Sequence, residues 1–112
     1  MKITITQDHI DEANRRRHDK DYAFSITCDC PTAIAVKDLY PDKIVEVGYT
    51  ILSIGGRMND PGALFSSFGY DHPLQQQIAR FTQFTTDGGF EPGEYDVPDP
   101  VPYVKNKGRS AK

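Results

Sequence analysis

The spacing of the apolar residues changes along this chain from every second residue to every third or fourth. Residues 2–6 alternate apolar and polar and are rich in β-branched side chains, as in a strand with one buried face. Leu74, Ile78 and Phe81 instead recur at helical spacing. Because 112 residues leave little room for a second domain, the two periods predict one small α+β domain.

Two main helices are predicted, over residues 30–40 and 72–86. The first starts at a Cys-Pro pair, and proline is favoured at the first helical position because its missing N–H would have no partner there. It is apolar on nearly all sides, so we expect it to be the central buried helix. A shorter helix is predicted over 8–17, with Thr6 or Asp8 as its N-cap.

About four strands are expected to form a small mixed sheet, over residues 2–6, 22–28, 44–54 and 90–97. Within 44–54 the apolar register slips after Ile51, and Gly48 interrupts the pattern. This indicates either one bulged strand or two strands joined by a tight bend. Residues 63–68 fit either a short strand or a loop with inward-facing apolar side chains.

The balance of acidic and basic residues differs between residues 1–97 and residues 98–112. Residues 1–97 contain 15 acidic and nine basic residues, whereas residues 98–112 contain one acidic and four basic residues. Prolines alternate with other residues over 98–102, which favours extended polyproline geometry without a sheet partner. Residues 105–112 have almost no apolar content and are predicted to be disordered. We therefore predict a domain over 1–97 and a flexible tail over 98–112.

The amino-terminal segment, the short apolar runs and the cysteines indicate a cytoplasmic protein without a membrane partner. Polar residues interrupt the amino-terminal segment, unlike the apolar core of a signal peptide. No apolar run approaches the ~18 residues of a membrane helix. Cys28 and Cys30 would lie about 6–7 Å apart on a strand, too far for an unstrained disulfide. They are interpreted as free thiols in a reducing compartment.

Cys30 is also a candidate nucleophile, since a helix N-terminus lowers the pKa of a thiol. Such a nucleophile needs a base, and nothing in the sequence places His9, His18 or His72 beside it. The alternative is that Cys30 caps the helix and Cys28 packs in the core. Cys28, Cys30 and His18 fall short of the four ligands of structural zinc, so neither a metal nor another cofactor is predicted.

Charged clusters are the candidate binding residues. Three consecutive arginines could hold a phosphate, but nearby acids favour a solvated face, and the acidic body argues against direct nucleic-acid binding. Acids dominate residues 60–99, where Arg80 is the only base. They could imitate a phosphate backbone and occupy a positively charged groove of a partner, or simply confer solubility. The predicted binding residues are Asp87, Glu91, Glu94, Asp96, Arg57, Arg15, Arg16 and Arg17.

Three patterns follow one another through residues 1–97: Met-Lys-Ile-Thr-Ile-Thr followed by His9-Ile10, the Cys30-Pro31-x-Ala33-x-Ala35 helix, and Ile78…Phe81…Phe84…Asp87-Gly88…Pro92…Tyr95. Together they resemble a group of small proteins of tailed phages and prophages. The basic tail and residues 11–21 depart from that pattern. The resemblance implies that the chain binds a host or phage protein, as do small phage proteins that neutralise host defence, anti-CRISPR proteins among them.

Three functions stay open at this point. The first is an inhibitor that occludes a host protein sterically and electrostatically, and the sequence favours it because no catalytic constellation is visible. The second is a homo-oligomer that binds a small molecule or nucleotide or accompanies a virion, with an interface formed by Leu64, Phe65, Phe68 and Tyr70. The third is an enzyme that uses Cys30 as its nucleophile.

Overall fold

The structure, a computed structural model, describes residues 1–56, 60–83 and 90–102. In chain order its elements are β1 (Lys2–Ile5), α1 (Gln7–His18), α2 (Ile26–Asp29), α3 (Pro31–Leu39), β2 (Val45–Val47), β3 (Ile51–Ile54), β4 (Leu64–Ser67), α4 (Pro73–Gln83), β5 (Gly93–Asp96) and β6 (Val101–Pro102). The prediction of an α+β fold is confirmed. Of the predicted helix over 72–86, residues 84–86 lie outside the described residues.

A capping box joins the first strand to the first helix. The Thr6 hydroxyl accepts a hydrogen bond from the His9 backbone N–H at 3.3 Å, and His9 Nδ1 accepts one from the Thr6 N–H at 3.0 Å. The pair satisfies two backbone donors that a helix N-terminus otherwise leaves open. His9 Nε2 also lies 2.7 Å from Asp38 Oδ2, so the same side chain connects α1 to α3.

The predicted strand over 22–28 is wrong. Its first half has no regular structure, and its second half belongs to the one-turn helix α2. The buried Asp29 carboxylate organises this segment, because it accepts hydrogen bonds from the Tyr22 hydroxyl at 2.7 Å and the Ser25 N–H at 2.9 Å. Arg16 Nη1 adds a third bond at 2.8 Å. A buried carboxylate must be paired, and this requirement outweighs a weak alternation of apolar residues.

The register slip within 44–54 is a hairpin, so the two-strand alternative is confirmed. Tyr49 and Thr50 form the loop between β2 and β3. Val47 lies opposite Leu52 in this antiparallel pair, and both side chains are buried. A two-residue loop pairs odd-numbered residues with even-numbered ones. The inward-facing side chains are therefore those of odd-numbered residues on β2 and of even-numbered residues on β3.

Two glycines end β3. Gly55 and Gly56 have φ angles of +95° and +130°, which side-chain-bearing residues rarely adopt. A Cβ atom on Gly56 would also lie 2.3 Å from Asp60 Oδ2, so a larger residue there would require the Asp60 side chain to move. Of the two alternatives for 63–68, the strand is observed, as β4.

The strands form two antiparallel sheets rather than one mixed sheet. Strands β2, β3, β4 and β6 follow one another in the larger sheet, and β1 pairs with β5 in the smaller. The expectation that 98–102 lacks a sheet partner is wrong at Val101 and Pro102, which lie opposite Phe65 and Leu64. Polyproline and β geometries are neighbours in φ/ψ space, so an extended proline-containing segment can add to a sheet edge.

The core draws on both sheets and three helices. Phe81 on α4, Val36 on α3, Leu52 on β3 and Ile3 on β1 are fully buried. The helix α3 packs against both β1 and β2, so the predicted central position of this helix agrees with its contacts. Among the described residues, no helix is long and apolar enough to cross a membrane.

Candidate binding surfaces

Three of the predicted binding residues lie on or beside β5. Glu94 is opposite Thr4 and Asp96 is opposite Lys2 in the pairing of β1 with β5. All four side chains are exposed, whereas Ile3, which lies between Lys2 and Thr4 on β1, is buried. Glu91, which precedes the strand, is exposed as well. The outer face of the smaller sheet therefore presents carboxylates to solvent.

These carboxylates and Asp99 form an acidic strip, defined here as Glu91, Glu94, Asp96 and Asp99. Each has one cation nearby, at 3.6 Å for Arg80–Glu91, 3.6 Å for Lys2–Glu94, and 3.8 Å and 2.7 Å for the terminal ammonium of Met1 with Asp96 and Asp99. The acidic side chains are 61–86% exposed. Ion pairs of exposed carboxylates contribute little to stability, so these carboxylates can exchange partners at little cost.

Two predicted binding residues, Asp87 and Arg57, lie outside the described residues.

The arginine cluster lies on the last turn of α1. Arg15 and Arg16 both donate to the Glu12 carboxylate at 2.7 Å, and their guanidinium groups lower the pKa of Glu12 to about 2. Arg16 also reaches the buried Asp29. Arg15 is largely exposed, whereas Arg16 is tied into the network that shapes α2. Its position favours a structural role over a binding role.

Arg17 packs inward, between α1 and α4. Its guanidinium carbon lies 3.7 Å from the centroid of the Phe81 ring and 5.6 Å from that of Phe24, and it donates a hydrogen bond to the Phe81 carbonyl oxygen. Burial lowers the pKa of Arg17. A guanidinium stacked on a buried aromatic ring stabilises helix packing. The three arginines therefore point to three different environments and do not form one phosphate-binding surface.

The two thiols occupy opposite environments. Cys30 is 1% exposed, and burial raises its pKa to about 11, so its thiolate is scarce at neutral pH. This disfavours Cys30 as a nucleophile. It does occupy the N-cap position of α3, although its side chain makes no capping hydrogen bond. Cys28 is exposed on α2, so the expectation that it packs in the core is wrong.

Within the described ranges, no three His, Cys, Asp or Glu side chains come together as a metal site. His18 ends α1 in an exposed position.

The apolar interface predicted for an oligomer is mostly inside the protein. Phe65 and Phe68 are buried, and Leu64 is half-buried. Of the four residues only Tyr70, at 76% exposed, is available to a second subunit. These four residues therefore do not form a contiguous surface patch.

A cleft of about 360 Å³ opens between the helices and β2, and the sequence did not indicate it. It is lined by Arg16, Cys28, Ala33, Ile34, Lys37, Asp38, Ile44 and Val45. Its cations are engaged by the protein itself, since Arg16 binds Glu12 and Asp29 while Lys37 Nζ donates to the Lys43 carbonyl oxygen. Ile44, an apolar residue that is 63% exposed, lies at the cleft.

Comparison with known proteins finds no family model, curated protein or solved structure that matches this chain. The chemistry of the described surfaces is therefore the basis on which its function is inferred.

Proposed function

We propose that this chain is a small binding protein that inhibits a protein partner by occupying its positively charged, nucleic-acid-binding surface. The acidic strip is the contact surface. The observation that carries the proposal is the alignment of exposed carboxylates along β5, where Glu94 and Asp96 share one face of the strand. Carboxylates in a row present negative charge at intervals, as a phosphate backbone does.

The energetics of the strip support exchange of its ion pairs for intermolecular ones. The carboxylates of the internal pairs are exposed, and three of the four pairs are longer than 3.5 Å. Breaking them costs little. A partner's lysines and arginines would bring more cations than Lys2, Arg80 and the terminal ammonium supply. Long-range attraction between unlike charges would also accelerate association.

The resemblance to small phage proteins favours a host protein as the partner, and the host cytoplasm as the place of action. The mechanism is steric and electrostatic occlusion, without a chemical step and without a cofactor. The alternative of a Cys30-dependent enzyme receives no support from the buried, weakly acidic thiol.

The test compares two triple variants of the full chain, each immobilised and exposed to bacterial lysate. The strip variant carries Glu91→Gln, Glu94→Gln and Asp96→Asn. The matched control carries Asp21→Asn, Asp42→Asn and Asp71→Asn, which neutralises three exposed acids elsewhere.

We expect a protein that the wild type and the control retain, that the strip variant loses, and that double-stranded DNA elutes. Elution by DNA matters because it identifies the occupied surface as one that binds nucleic acid. Equal retention by the strip variant, or a retained protein that DNA does not displace, would count against the proposal.

A further inference from the structure

A second surface, with different chemistry, lies along the hairpin of β2 and β3. Two concavities of about 200 Å³ and 270 Å³ adjoin there, since Thr27, Val47 and Gly48 line both. We call them together the hairpin groove. Each is smaller than the ~300–1,000 Å³ of a typical small-molecule site, so each suits a single side chain of a larger partner.

The floor of the hairpin groove is apolar. Ile26, Tyr49 and Ile78 line the first concavity, and Ile51 and Phe65 line the second. Tyr49 is 48% exposed at the rim, where an aromatic ring can contact a partner. Apolar walls with an aromatic rim favour apolar side chains as occupants.

One charged group faces this floor. Glu46 lies opposite Ser53, which lies opposite Phe65 on the next strand, so the three side chains share the outer face of the sheet. Glu46 is a half-buried residue whose carboxylate stays accessible to solvent, and this carboxylate forms no ion pair or hydrogen bond with another residue in the part of the chain that the structure describes. It differs in this from Glu91 and Glu94, which have cations nearby.

We propose that the hairpin groove binds an extended segment of a protein partner that carries a bulky apolar side chain and, a short distance along, a lysine or arginine. The apolar side chain fills a concavity, and the cation pairs with Glu46. Charge complementarity selects this occupant, because a carboxylate that has no cation of its own beside an apolar floor attracts a cation and repels an acidic group. The proposal goes beyond the acidic strip, since it concerns a separate surface that recognises a different part of a partner.

The experiment selects binding peptides from a displayed library of random heptapeptides, using the full chain as bait. We expect the selected peptides to share a bulky apolar residue and a lysine or arginine at constant spacing. The Glu46→Lys variant should exchange that basic position for aspartate or glutamate, whereas the control Asp21→Lys should not. Urea unfolding of each variant verifies that it is folded.

Binding constants then test each part of the groove. For a labelled peptide from the wild-type selection, Glu46→Gln should weaken binding about tenfold, as expected for loss of one charge-assisted hydrogen bond. Ser53→Phe should abolish binding by filling the groove. The strip variant with Glu91, Glu94 and Asp96 neutralised should bind this peptide like the wild type, so failure of the proposed function leaves this test intact.

Four outcomes would overturn the proposal. The first is no shared pattern among the selected peptides, and the second is a pattern that is unaffected by the charge at residue 46. The third is selection that succeeds only after the four basic residues of 105–112 are changed to glutamine, which would assign the groove to the chain's own carboxyl terminus. The fourth is a dimer in sedimentation experiments that Ser53→Phe dissociates, which would assign the groove to a second copy.

Discussion

Arg16 and its neighbour Arg15 contribute differently to the stability of the fold, and alanine substitution of each should reveal the difference. Arg16→Ala leaves the Asp29 carboxylate, which is 4% exposed, without its guanidinium partner. Loss of one partner from a buried ion pair costs about 3–5 kcal/mol. Asp29 keeps its bonds to Tyr22 and Ser25, and the Arg16 side chain is 26% exposed, so we expect a lower cost of about 2–3 kcal/mol.

For the control variant, Arg15→Ala, we expect a much smaller loss of stability. Arg15 is 59% exposed and pairs with the partly exposed Glu12, so Arg15→Ala should change the free energy of unfolding far less than Arg16→Ala does. Urea unfolding at pH 7, followed by far-ultraviolet circular dichroism, measures both. The melting temperature of Arg16→Ala should fall by roughly 10–15 °C.

A double-mutant cycle with Asp29→Asn tests the cause. If the Arg16–Asp29 pair is responsible, the two substitutions together should cost clearly less than the sum of the single costs. Equal effects of Arg15→Ala and Arg16→Ala, or additive effects of Arg16→Ala and Asp29→Asn, would refute the assignment of Arg16 to the network that shapes α2.

Three further predictions concern charge, thiols and the carboxyl terminus. The pKa of Glu12 is lowered from 4.5 to about 2, so its ionised form stabilises the fold above about pH 4.5 and loses this contribution as the pH falls toward 2. Glu12→Gln should therefore be about 1 kcal/mol less stable at pH 7, after allowance for solvent screening, and the difference should vanish in urea titrations near pH 2; a constant difference would contradict this. Iodoacetamide at pH 7 should label the exposed Cys28 in the folded protein but the buried Cys30 only in urea, and peptide mapping of native protein labelled at Cys30 would refute it. Deletion of residues 98–112 should lower the free energy of unfolding by about 1–2 kcal/mol, because it removes the β6 pairing and the bond of the terminal ammonium to an acid; an unchanged urea midpoint would contradict this expectation.

The acidic part of the candidate site could be predicted, and the apolar part could not. Glu91, Glu94 and Asp96 could be identified because charged side chains are rarely buried, so a segment rich in acids predicts an acidic surface. The hairpin groove brings Thr27 on α2 beside Val47 on β2. These residues lie far apart in sequence, and no local pattern states that their elements meet.

The three consecutive arginines show the same limit of prediction from sequence. Three consecutive arginines look alike in the sequence, yet one is exposed, one pairs with Asp29 and one stacks on Phe81. Helical geometry turns each successive residue by about 100°, so neighbours face different surroundings. Which surroundings they meet depends on where α2 and α4 pack.

The sequence by itself determined the α+β class, the capped start of α1, the helices α3 and α4, and the end of β3 at its glycines. These features depend on residues close together in the chain, whose periodicity and backbone preferences act locally. Only the tertiary structure decided that 22–28 is not a strand, that the strands divide into two sheets, and that Val101 and Pro102 join one of them. A buried carboxylate's need for partners and a sheet edge's capacity to accept another strand depend on residues distant in sequence, and these contacts exist only once the chain has folded.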